Sequence, residues 1–225
     1  MFFVEVDSLI HFALWEQLPE GHPIKELWLE SQTDLFATIY LAYGGFFRRA
    51  LTVLRAWFEI AVHGVYFSFH YGQPSERYEQ WRRGERNAPA RMEDITKSLE
   101  AKLDNTFQSI EHSRIYQKLK PIYAFLSKQT HAQGLDVYAL QDGRDNVPRF
   151  LEHSFNLWYE MVFEAFDAVI FLYRIFFTPV IREYLCANPA EKERSCDFAE
   201  QMGALLPEFC SLIQDISHCE MGRKV

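Results

Sequence analysis

The segment from Phe46 to Phe69 limits what this chain can fold into more than any other. Wound as a helix, it spreads Leu51, Leu54, Trp57, Phe58, Ala61, Val62 and Val65 over most of the circumference. A single polar stripe remains, Arg48, Thr52, Arg55, Glu59 and His63, in which successive members sit about 40° apart. A helix apolar on nearly every side has to lie at the centre of other helices. The expected fold is therefore all-α, a bundle of about seven to nine helices.

The rest of the chain agrees with that centre. Its 225 residues include 20 Phe, 11 Tyr and 5 Trp against 10 Gly and 9 Pro, which suits a helical core filled with aromatics better than a turn-rich sandwich. The length allows one substantial core, so a single domain over 1–225 is expected, with a core bundle at about 23–180 and a C-terminal helical extension at about 181–225.

Punctuation divides the helices. A first helix is expected to start after Asp7 or Ser8 and to break at Pro19-Glu20-Gly21-His22-Pro23, with Pro23 opening the second. Gly44-Gly45 marks a break or a close crossing before the central helix. Ser75 to Arg83 reads as a short helix stopped at Gly84, and Arg91 to Leu103 as another. Pro121 should end or kink one helix and begin the next, reaching Thr130. Asp142-Gly143 suits a small hairpin, and long helices follow at Phe150–Phe177 and from Ala190 to Ser217.

Charge and cysteine content narrow the function. A net charge of −8 opposes a surface built mainly to neutralise phosphates, although Arg77, Arg82, Arg83 and Arg86, with Arg91, form a local basic segment open to RNA. Glu76, Glu79 and Glu85 dilute it, so the same segment also reads as a salt-bridged surface. Cys186, Cys196, Cys210 and Cys219 have neither metal-site spacing nor a Cys-x-x-Cys pair and read as reduced, partly buried thiols. Met1 to Val6 lacks the basic start of a secretory signal, so a cytoplasmic protein is expected.

Phe155 to Ile181 is apolar enough to raise the question of a membrane. Glu160, Glu164, Asp167 and Arg174 interrupt it, and it reads as a core helix carrying one acidic stripe, with no membrane partner. No phosphate-cradling loop, dinucleotide fingerprint or nucleophile elbow is present, and no Glu-x-x-His, so no cofactor and no metal are expected.

The polar stripe of the central helix has two readings. Arg55 and Glu59 form an ordinary i,i+4 ion pair with His63 at the rim, or the stripe lines a polar cleft in which His63 or His131 titrates near neutrality. His131 likewise sits where a helix C-terminus favours an imidazolium, which is reason enough for its presence.

Gly45-Phe46-Phe47-Arg48-Arg49-Ala50-Leu51-Thr52-Val53-Leu54-Arg55-Ala56-Trp57-Phe58-Glu59, followed by Tyr123-Ala124-Phe125-Leu126-Ser127 and His131, resembles an uncharacterised group of bacterial helical proteins related to HEPN and abortive-infection domains. The likeness covers about residues 30–180 and singles out Arg55, Glu59, Ser127 and His131. It implies an antiparallel bundle, often dimeric, in phage defence or RNA cleavage. The Arg-x4-6-His spacing of HEPN ribonucleases is absent, since seven residues separate Arg55 from His63 and three separate Arg149 from His153. A component of a defence or toxin-like system acting through protein partners or self-association is therefore the first expectation. An RNA-cleaving enzyme using Arg55 and His131 is the second.

Overall fold

A computed structural model describes residues 2–68, 76–85, 91–104, 114–130 and 150–221. Among them the chain is all-helical, with nine helices and no strand. These are α1 (Phe2–Gln17), α2 (Pro23–Tyr43), α3 (Phe47–Ser68), α4 (Glu76–Arg82), α5 (Met92–Asp104), α6 (Arg114–Thr130), α7 (Glu152–Ala187), α8 (Pro189–Met202) and α9 (Pro207–Met221).

α3 holds the centre its composition demands, packed against α2, α5, α6 and α7. α2 and α3 form a tight hairpin: α2 ends at Gly44-Gly45, where Gly45 adopts φ 79°, a left-handed backbone that a side chain would strain. Gly64 lets the two helices approach closely, since a Cβ there would meet Ile24 Cδ1 at 2.8 Å. Buried hydrogen bonds then tie three helices together. The Trp158 indole of α7 donates to Thr38 Oγ1 at 2.9 Å, and the Thr38 hydroxyl donates to the Ala50 carbonyl of α3 at 2.7 Å. Each satisfies a polar group that would otherwise be stranded in the core.

α7, 36 residues and about 54 Å long, is the mast of the bundle, packing against α1, α3, α6, α8 and α9. One continuous apolar cluster runs from Val6 on α1 to Ile216 on α9.

Several boundaries depart from the sequence expectations. α1 begins at Phe2 rather than after Asp7, because Asp7 is no cap: it is a buried acceptor inside the helix. α6 runs straight through Pro121, and α7 runs through Pro179 to Ala187. Both prolines sit on the exposed side of their helices, where the gap each makes in the hydrogen-bond ladder is open to solvent. The final helix is two, divided at Gly203. The expected acidic stripe on α7 also splits: Glu160 and Glu164 face solvent, whereas Asp167 turns inward. The hairpin at Asp142-Gly143 lies outside the described residues. No helix among them is long and apolar enough to cross a membrane.

Candidate functional site

The stripe on α3 forms a polar seam against α6. Arg55 donates from Nε to Glu59 Oε1 at 3.0 Å and from Nη2 to the Tyr123 hydroxyl at 3.1 Å, with its guanidinium 5.1 Å from the Tyr123 ring centre. Burial works against the charged guanidinium, but Glu59 and Tyr123 more than offset it and hold the Arg55 pKa above its ordinary value. Two turns earlier, Arg48 Nε donates to the Gln129 carbonyl at 3.3 Å. Ser127, four residues after Tyr123 on α6, has a buried hydroxyl with no hydrogen-bond partner among the described residues. Of the four residues singled out by the resemblance, Arg55 and Glu59 meet directly. Ser127 lies on the helix that Arg55 touches, and His131 lies outside the described residues.

His63 extends the stripe differently. Its Nδ1 is 2.6 Å from the Glu59 carbonyl, which only accepts, so Nδ1 carries the proton. The ring stacks on Trp81 of α4 at 6.4 Å, with planes 22° apart. His63 is thus part of the junction between α3 and α4 and not an open general base.

The basic segment is largely engaged within the protein. Arg77 donates to the Tyr66 hydroxyl at 2.7 Å, Arg82 pairs with Glu26 and Glu79, and Arg83 pairs with Glu85 at 2.9 Å. Arg86 lies outside the described residues. Among the described residues no cluster of three or more His, Cys, Asp or Glu is arranged to hold a metal ion. Cys196 and Cys210 are half-buried free thiols, but Cys186 is exposed because it lies on the outer side of the last turn of α7.

A second polar constellation escapes inspection of the sequence. His11 Nδ1 donates to the Asp7 carbonyl at 2.7 Å and lies 3.2 Å from Asp7 Oδ1. The Trp28 indole donates to Asp7 Oδ2 at 3.2 Å, and the Tyr173 hydroxyl donates to His11 Nε2 at 3.1 Å. The sequential order resembles a proton relay, but Asp7, His11 and Tyr173 are each 3% exposed. Burial, reinforced by Asp7, holds the Tyr173 hydroxyl well above its ordinary range. The cluster fastens α1 to α2 and α7. Its only sequence signal is the i,i+4 pair Asp7 and His11 on an apolar helix.

What the bundle leaves open is the outer face of α2. Its inner face, including Leu27, Leu35, Ile39 and Ala42, is buried as expected. On the outside, Leu29, Thr33, Phe36, Tyr40 and Tyr43 follow one another at alternate steps of four and three, and all are exposed. Tyr40 is 77% exposed and Tyr43 62%. Beside this row runs a groove of about 460 Å³ between α2 and the start of α1, lined by Val4, Glu5, Phe36, Ile39, Tyr40 and Tyr43. From Tyr43 the aromatic surface continues onto α7 through Phe155 (5.5 Å between ring centres), Phe150 and Tyr159. The spacing was legible in the sequence, but which of the two apolar faces of α2 stays uncovered was not.

No protein-family model, no curated protein and no solved structure matches the chain.

Proposed function

We propose that the chain is an interaction component, a helical bundle that works through a protein partner or a second copy docked on the outer face of α2. The resemblance noted above supplies its setting, a bacterial defence or toxin-like system. One observation carries the reading: a helix with two apolar faces, of which the bundle covers one. A row of large apolar side chains left in water forgoes roughly 1.5–3 kcal/mol for each that a partner would bury, and contiguous rows of this kind mark binding surfaces. The paired state of Arg55 and of the Arg77–Arg83 segment points the same way, since their donors already serve internal acceptors.

The test compares the wild-type chain with Tyr40→Glu, a change at a ring that supports little of the core. Loss of a self-assembled species in sedimentation, or of one identified stoichiometric partner on co-purification, is expected in Tyr40→Glu alone. A monomer that keeps the same company with either side chain overturns the proposal.

A second reading is an RNA-cleaving enzyme with Arg55 and His131 in the site. It is favoured by the unpartnered Ser127 hydroxyl on the helix that leads to His131. Cleavage of RNA by the purified chain, abolished by His131→Ala, would establish it; intact RNA across varied substrates removes it.

A further inference from the structure

We propose that the occupant of the α1/α2 face is a basic amphipathic helix of a partner protein, about four turns long, and not a second copy of this chain. The inference rests on the reading of that face as a docking surface and names what docks there.

Shape specifies a helix. From Leu29 to Tyr43 the exposed row spans about 21 Å and repeats every seven residues, the spacing at which one helix lays an apolar seam along another. The groove beside it supplies a depression into which anchoring side chains of the partner can sink.

Charge specifies the sign. Residues 1–43 contain seven acids, Glu5, Asp7, Glu16, Glu20, Glu26, Glu30 and Asp34, against one base, Lys25; with Asp7 buried and Glu26 paired with Arg82, the remaining acids still leave this edge negative. Glu5 lines the groove and is paired with Arg194 at 3.2 Å. Glu30 and Asp34, one turn apart beside the exposed row, have no cation within 4 Å among the described residues. Partial burial, and then the neighbouring Glu30, raise the Asp34 pKa above its ordinary value. Two copies meeting through this face would bring two acidic edges together, whereas Lys and Arg flanking an apolar seam would neutralise Glu30 and Asp34. They would also find the exposed rings of Tyr40 and Tyr43, and Lys25 already sits 4.6 Å from the Trp15 ring centre in this manner on the same edge.

The experiment uses the full chain and two fluorescent 21-residue peptides with the same leucine seam, one flanked by lysines and the other by glutamates. The lysine peptide should bind at least about tenfold more tightly, and its affinity should fall as salt rises. Tyr40→Ala, and separately Glu30→Gln with Asp34→Asn, should each weaken it about fivefold or more while circular dichroism stays unchanged. Equal binding of both peptides, or lysine-peptide binding indifferent to these variants, overturns the basic partner and leaves the interaction surface standing. Concentration-dependent dimers lost in Tyr40→Glu, with neither peptide bound, assign the face to a second copy. Sedimentation with zwitterionic vesicles, dependent on Tyr40, assigns it to a lipid surface. A monomer that binds neither peptide nor vesicles removes this proposal and the docking reading together.

Discussion

The carboxylate of Asp7 on α1 accepts the indole N–H of Trp28 on α2 at 3.2 Å, in a position where neither residue is more than 8% exposed. The same side chain lies beside the His11 ring, which stacks on Trp28 with centres 4.8 Å apart. One acid thereby fixes two helices that also meet through Lys25 of α2, which lies over the Trp15 ring of α1. Asp7→Ala strands the indole donor and empties a buried position, and should cost about 2–4 kcal/mol in urea unfolding. Asp7→Asn, which still offers an oxygen to Trp28, should cost less than half as much. Equal losses would mean that the volume matters and the hydrogen bond does not.

His22, at the start of α2, should make the fold acid-sensitive. Burial, and then Lys25, lower its pKa from 6.5 to about 4, so the folded protein holds the imidazole neutral while the unfolded chain protonates it. Between pH 6.5 and 4 the unfolded state binds the extra proton, so stability is fully present above pH 6.5 and declines as pH falls toward 4. A loss of about 1–3 kcal/mol over that window is expected, and His22→Gln should flatten it. Identical pH slopes for the two proteins in denaturant titrations would contradict this.

Lys118 on α6 stands between Asp167 of α7 at 2.9 Å and Glu208 of α9 at 2.6 Å, and Asp167 also accepts the Glu208 backbone N–H at 2.9 Å. Burial pushes the Asp167 pKa up even in the presence of Lys118. Lys118→Met should therefore destabilise by about 2–4 kcal/mol at pH 7, because Glu208 keeps Arg174 at 3.0 Å whereas Asp167 loses the cation beside it. The deficit shrinks on acidification: once Asp167 is protonated the uncompensated charge is gone, and the variant should regain ground on the wild type as pH falls. A pH-independent difference in unfolding midpoint would point to lost packing alone.

Gly64 and Ile24 should behave as a coupled pair. Gly64→Ala gains about 0.5–1 kcal/mol of helix preference but drives a methyl to within 2.8 Å of Ile24 Cδ1 in a close-packed crossing. Ile24→Val removes that methyl at about 0.5–1.5 kcal/mol. The double variant should be more stable than the sum of the single effects by about 1 kcal/mol. Additivity in thermal unfolding would show that α2 and α3 shift apart at no cost.

How far the sequence disclosed this fold follows from the range of the interactions involved. Pro23, the Gly44-Gly45 break and the Gly84 stop, with φ 67°, act within a turn of chain and were legible. The apolar circumference of α3 also located the centre of the bundle. Asp7 was misread because an acid before an apolar run looks like a cap until Trp28 and Tyr173 are placed around it. Pro121 reads as a break because its exposure depends on how the helix lies against the core. Within the candidate site, the Arg55–Glu59 pair was readable from its i,i+4 spacing, whereas Tyr123, 68 residues away from Arg55, acquires its role only from packing.

The long helix α7 also has a meaning in time. His11 waits for Tyr173, 162 residues further along, and α1 packs chiefly on α7. At synthesis rates of about 5–20 residues per second, α1 stands for roughly 8–30 s with only α2 beside it and the face that α7 covers unburied. During that interval the nascent chain carries α1 without its main cover, so this helix is the segment that gains most from a chaperone or from an early docked partner.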